Sequence, residues 1–263
     1  MVGHLLLRGM LVGAIAGLLA FGFARVVGEP QIERAIAFEE QLAHANQDHT
    51  NHDHADHQHG NDAGHAGQHH EHAEHVGPEP VSRTTQAGLG LFTGVVIYGA
   101  AIGGLFALVF AFAIGRIGDL GPRATAALLA LGGFVAIVLI PAIKYPPNPP
   151  AVGSADTIGA RTALFFAMLA LSIAATVAAV ALAQRLRARL GAWNAAIIAG
   201  AAFVVVVALV GIVLPDINEV PQAFSAVVLW RFRVASLGIQ VVLWTTIGLL
   251  FGALTERAAR QKV

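Results

Sequence analysis

The sequence predicts an all-α, polytopic transmembrane helical bundle of about six membrane-spanning helices with a disordered, His-rich external loop. Three observations carry that expectation. Hydrophobic residues make up 56% of the 263-residue chain and charged residues 12%, and the mean hydropathy is +0.67. The apolar residues fall into runs of about 20, the length a helix needs to cross roughly 30 Å of hydrocarbon. None of the runs alternates with the two-residue period of a barrel strand, and only a helix satisfies its own backbone within a single span.

The elements follow in order. A first helix is expected from about Leu5 to Val27, so that residues 1–27 form the first transmembrane unit. Its flank carries only Arg8, its apolar run is long, and no clean small-x-small site precedes Gly28, which argues for a retained helix over a cleaved leader. Residues 28–87 read as an external His/Asp-rich low-complexity loop. Residues 88–263 read as a five-helix membrane bundle, with helices near Gly88–Ile114, Ala124–Ile143, Thr162–Ala183, Trp193–Leu214 and Val234–Leu254.

Charge placement sets the expected orientation. Arg8, Arg116, Arg123, the Arg185/Arg187/Arg189 cluster and Arg257, Arg260 and Lys262 all fall on one side of a six-helix chain. The positive-inside rule makes that side cytoplasmic, with both termini inside and the histidine-rich loop outside, in a bacterial or archaeal inner membrane. Glycines four apart at Gly13/Gly17, Gly90/Gly94, Gly99/Gly103 and Gly248/Gly252 allow close helix approach, within the bundle or as an oligomer face.

The loop holds the densest chemistry. Eleven of the twelve histidines stand in it: His44, His49, His52, His54, His57, His59, His65, His69, His70, His72 and His75. Neutral imidazole ligates Co²⁺, Ni²⁺, Cu²⁺ and Zn²⁺ near neutral pH. Interleaved carboxylates, Asp48 to Glu74, attract cations and raise imidazole basicity. The redundant spacing points to a concentrating device for a divalent transition metal and does not select one metal. Two further external segments are bracketed by proline. The stretch from Lys144 to Gly153 offers Lys144, Tyr145 and Asn148 as an entrance loop, and Leu214 to Pro221 offers Asp216, Asn218 and Glu219 as oxygen ligands. Proline rigidity lets such loops enforce a geometry that a glycine- and histidine-rich stretch cannot. Glu219 pairing with Arg231 or Arg233 is the structural alternative. Trp230 to Arg233 reads as an interfacial belt with snorkelling guanidiniums.

Other classes are excluded. The chain has no cysteine, so thiolate sites and disulfides are absent. Its two lysines, Lys144 and Lys262, lie outside any phosphate-binding loop, so no nucleotide site is expected. A zero formal net charge gives no basic surface for nucleic acid. No nucleophile–base pair suggests an enzyme.

The passages Lys144–Gly153, Leu214–Pro221 and Leu229–Gly238 leading into Gln240 and Trp244, with a histidine-rich loop after the first helix, resemble the CbtA family of cobalt transporter subunits. The resemblance covers essentially the whole chain. It implies Co²⁺ as the substrate and a very small His-bearing membrane partner, CbtB-like, beside the lipid bilayer. Val76–Pro80 lacks the tryptophan that family members often carry there. Two further readings keep the architecture: a nickel or zinc transporter, and a metal-binding accessory or sensor that does not itself transport.

Overall fold

A computed structural model describes residues 2–53, 82–150 and 152–261. Among these residues the chain is helical and has no strand. The first helix, α1 (Val2–Phe23), passes through a π-helical turn (Ala24–Gly28) into α2 (Glu29–Asp53) without a break. A short turn, α3 (Arg83–Thr85), and a second π-helical segment lead into α4 (Leu91–Ala113). Then α5 (Pro122–Gly133) runs through a third π-helical stretch (Phe134–Leu139) into α6 (Ile140–Lys144). Two long helices, α7 (Ile158–Val213) and α8 (Ala226–Arg260), complete the fold.

Five helices are long and apolar enough to cross a membrane. The fourth of them, α7, has 56 residues and would be about 84 Å long if straight, nearly three bilayer cores. It is not straight. Gly191 has φ 77° and ψ 165°, outside the helical region. Arg161, near the start of α7, also lies 2.7 Å from Glu219, just beyond its end. The chain therefore folds back at Gly191 into two limbs, 158–190 and 192–213. That hairpin turns five helices into six membrane-length limbs, as the hydropathy predicts.

Packing is densest between α1 and α4. A Cβ placed on Gly13 would meet the Gly99 carbonyl and the Gly103 Cα, and one on Gly9 would meet the Gly103 carbonyl. The two backbones touch, which is the use small residues serve where no hydrophobic drive separates helix from lipid. Gly248 and Gly252 pack in the same way on Ala126, Ala130 and Arg123 of α5. Three of the four glycine pairs thus serve this chain's own core, and only the face at Gly94 stays open. The centre between α1, α4, α5 and α8 is filled by Val12, Phe106, Phe110, Leu243, Ile247 and Phe251.

The π-helical stretch before Pro141 has a definite cause. Ile140 donates its N–H to the Val135 carbonyl, five residues back. The next carbonyl in that register, Ala136, would need an N–H from residue 141, which is a proline and has none. Ser172 of α7 supplies it, donating its hydroxyl to the Ala136 carbonyl at 2.7 Å while itself 1% exposed.

The first helix extends well past its apolar run. The loop expected from residue 28 begins instead as helix, and α2 stays helical to Asp53. Gly28, Gln31 and Ala35 are buried and Phe38 half-buried, a three-and-four spacing that gives α2 one packed face. The buried Glu29 pairs with Arg83 and ties the base of α2 to the turn before α4.

Candidate functional site

One end of the bundle holds the proline loops, and the structure brings the two of them together. Tyr145 is 7% exposed and donates its hydroxyl to the Pro215 carbonyl at 2.8 Å. Lys144 pairs with Asp216. Arg233 Nη2 donates to Asn148 Oδ1 at 3.0 Å, joining α8 to the first loop. The opposite end carries both described chain ends, tied where Arg8 donates to Thr255 at 3.3 Å and Arg123 pairs with Glu256.

Glu219 is the knot of the loop end. Thr157 donates its hydroxyl to Oε1, and Arg161 and the Ser154 N–H donate to Oε2 at 2.7 and 3.3 Å. The Thr157 hydroxyl, then the Ser154 N–H and the Arg161 guanidinium, hold its carboxyl below the usual glutamate range against the opposing effect of desolvation. The partner is thus Arg161, neither Arg231 nor Arg233. Gly153, at φ 138°, sits against this pair: any Cβ there would press on Arg161 Nη1 and Glu219 Oε2.

Beneath the loops lies a cavity of about 980 Å³. Its mouth is formed by Tyr145 to Pro150, Val152 and Ile217 to Val220, and its walls include Ile137, Val138, Phe165 and Leu169. Polar groups reach it from Tyr98, Arg161, Arg233, Ser236 and Gln240. Tyr98 and Gln240 interact through a side-chain hydrogen bond. Past Gln240, α8 continues with buried Leu243, Trp244, Ile247 and Phe251, so the cavity ends where the packed core begins.

The helix α2 stands on this mouth. Ala35 clusters with Val152 and Phe224, with Phe38, Val220 and Val228 packed around them. The Phe38 and Phe224 rings meet edge to face at 5.0 Å. From there α2 runs on through the exposed His44 to the backbone of positions 49 and 52. His54, His57, His59, His65, His69, His70, His72 and His75 lie outside the described residues.

The other expected ligands are placed differently from one another. Asp216 is 90% exposed on its side chain beside Lys144, and Asn218 is exposed and accepts only the Val220 N–H at 3.3 Å. Both remain accessible oxygens at the rim, whereas both oxygens of Glu219 are engaged. Among the described residues no group of three or more His, Asp or Glu side chains is arranged to hold a metal.

Two residues escaped the reading of the sequence. Arg161 is the true counter-ion of Glu219. Arg233 was expected to snorkel beside Trp230. The structure leaves Trp230 69% exposed and turns Arg233 into the cavity. An arginine a few residues inside an apolar helix is costly and marks a functional position by default, and that was the available signal. Among the polar side chains of the apolar helices, Tyr98, Ser236 and Gln240 line the cavity. Thr125, Ser172 and Thr176 instead donate to backbone carbonyls.

Electrostatics limits what this cavity accepts. The lining holds two guanidiniums and one carboxylate. A bare divalent cation about 5 Å from an unpaired guanidinium is repelled by about 2–7 kcal/mol, between the water limit and an effective dielectric constant near 20.

Comparison with known proteins supplies the family. No curated protein and no solved structure matches the chain. The family model described as "Probable cobalt transporter subunit (CbtA)" matches residues 2–256, nearly the whole of this multi-pass membrane protein, and the chain therefore belongs to the CbtA family.

Proposed function

We propose that this chain takes up a divalent transition metal, Co²⁺ first, from the external side of an inner membrane. In this reading the histidine-rich stretch captures the ion. The two proline loops, with Asp216 and Asn218 at their rim and Glu219 holding them together, receive it. The cavity beneath carries it into the bundle toward cytoplasmic termini, with a small His-bearing subunit as partner. The observation that carries the reading is the seating of α2: the helix that leads into the histidines packs through Ala35 and Phe38 on Val152, Val220 and Phe224 at the cavity mouth. This seating supports a capture stretch that begins beside the entrance.

The lack of a three-ligand cluster among the described residues favours a second arrangement, in which a partner subunit completes the ion's coordination or this chain acts as a metal-binding accessory. Imidazole does not separate Co²⁺ from Ni²⁺ or Zn²⁺, so the metal is assigned here on family membership.

The test is radiolabelled cobalt uptake by cells expressing the full chain or a variant lacking residues 46–75. The expected result is a rise of at least about tenfold in the concentration for half-maximal uptake, since redundant ligands raise local ion concentration, with uptake at high metal nearly intact. Loss of uptake at every concentration would place the obligatory ion site in the histidines. Unchanged uptake at low metal would remove their capture role.

A further inference from the structure

The charge on the cavity wall runs against a bare cation. Glu219 and Arg161 neutralise one another at 2.7 Å. Arg233 remains. Its Nη2 is bonded to the neutral amide of Asn148, its Nε is buried without a partner, and among the described residues no carboxylate pairs with it. A cation held this way in apolar surroundings is costly without a counter-charge. Deeper in the cavity, the Gln240 amide meets the Tyr98 side chain, while its Oε1 is buried without a partner. Arg233, Ser236 and Gln240 stand at i, i+3 and i+7 and share one face of α8. Ser236 already gives its hydrogen to the Phe232 carbonyl at 2.9 Å and is left as an acceptor. The row therefore offers, from mouth to floor, a charged donor fork, a hydroxyl acceptor and an amide acceptor. The volume of about 980 Å³ falls in the range of pockets that take small organic molecules.

We propose that this cavity is a receptor for a small soluble polycarboxylate anion and, resting on the transport reading above, that the metal enters it as an anionic carboxylate chelate. Arg233 presents the planar fork that matches a carboxylate. The hydroxyl or metal-bound water of such a chelate supplies the donor that Gln240 Oε1 lacks. Chelation also converts the repulsion between metal and guanidinium into attraction. A lipid headgroup phosphate would satisfy Arg233 equally well. Its acyl chains would then lie along the cavity and leave Gln240 Oε1 buried against hydrocarbon, so the soluble anion is the better fit.

The test uses the purified full-length chain in detergent, titrated calorimetrically with citrate and with equimolar cobalt–citrate, while native mass spectrometry follows retained phospholipid. Saturable binding of both probes is expected. Arg233→Gln should weaken it at least about tenfold, the scale of a lost charged hydrogen bond. Arg233→Lys should recover part of the loss, and Arg231→Gln, at an exposed neighbour, should change nothing. Absence of citrate binding, or equal binding by Arg233→Gln, overturns the proposal. So does a phospholipid that leaves only in Arg233→Gln and is not displaced by citrate, which would make the site a headgroup site. Citrate binding without cobalt uptake in any form would remove the transport reading and leave the anion site standing. Cobalt uptake from citrate-free medium, undiminished in Arg233→Gln and with no citrate bound, would do the reverse.

Discussion

The seam between α1 and α4 and the cavity between α6, α7 and α8 are built on opposite principles within one bundle. In the seam, glycines bring two backbones into contact at Gly13/Gly99 and Gly9/Gly103, and no polar side chain intervenes. Around the cavity, proline loops meet over the mouth, a π-helical stretch forms part of the wall, and two buried polar atoms, Arg233 Nε and Gln240 Oε1, lack partners. A membrane protein gains rigidity where small residues let helices close up, and a buried polar group without a partner calls for a specific explanation. The seam is built as scaffold, and the cavity is the face to which the proposed function is assigned.

That contrast breaks most easily at the seam. Gly13→Leu should destabilise the chain by about 3 kcal/mol or more, since the added side chain meets backbone that cannot yield. Gly94→Leu, facing open space, should stay within about 0.5 kcal/mol. Thermal unfolding in detergent, with membrane yield as a second readout, checks both; equal melting of the two variants would dissolve the seam's special status. At the cavity mouth, Glu219→Gln should release the loop on which α2 stands and lower cobalt uptake per folded molecule by at least about tenfold. Uptake and melting both at the wild-type level would show that the mouth does not depend on this knot.

A pH titration sharpens the same point. The Glu219 carboxyl lies below its ordinary value in the folded chain, so its contribution is fully present above about 4.3 and is lost as pH falls through the depressed folded value. The melting temperature of the wild type should fall in that acid window, and the fall should be smaller in Glu219→Gln. A small effect is expected at the rim. Lys144 pairs with an Asp216 side chain that is 90% exposed, and Lys144→Ala should cost no more than about 1 kcal/mol in the same unfolding measurement.

Much of the scaffold was legible in the sequence because lipid imposes a simple rule on it. Six apolar runs gave six membrane-length limbs, and glycine spacing foretold where backbones meet. The extension of α1 into α2 was not legible from hydropathy, since the apolar run ends near Val27 and the residues after it are polar. The spacing of residues 28, 31, 35 and 38 was the sign that a packed face continues. The site was legible in its parts but not in its pairings. The sequence places Asp216, Asn218 and Glu219 beside a proline loop, but only the hairpin at Gly191 returns Glu219 to Arg161. Arg233 reads as an interfacial arginine until the cavity is seen beside it.

In the proposed route, external solutes and cobalt enter the bundle's interior through this cavity. The chain has no cysteine, so a single Leu237→Cys variant places the only thiol on the cavity wall. Cells expressing it are treated with a membrane-impermeant thiol reagent, and cobalt uptake is measured before and after. Modification from outside, loss of most uptake, and slower modification when cobalt is present are the expected results for this route. A thiol modified without effect on uptake, or one reached only after permeabilisation, would contradict it.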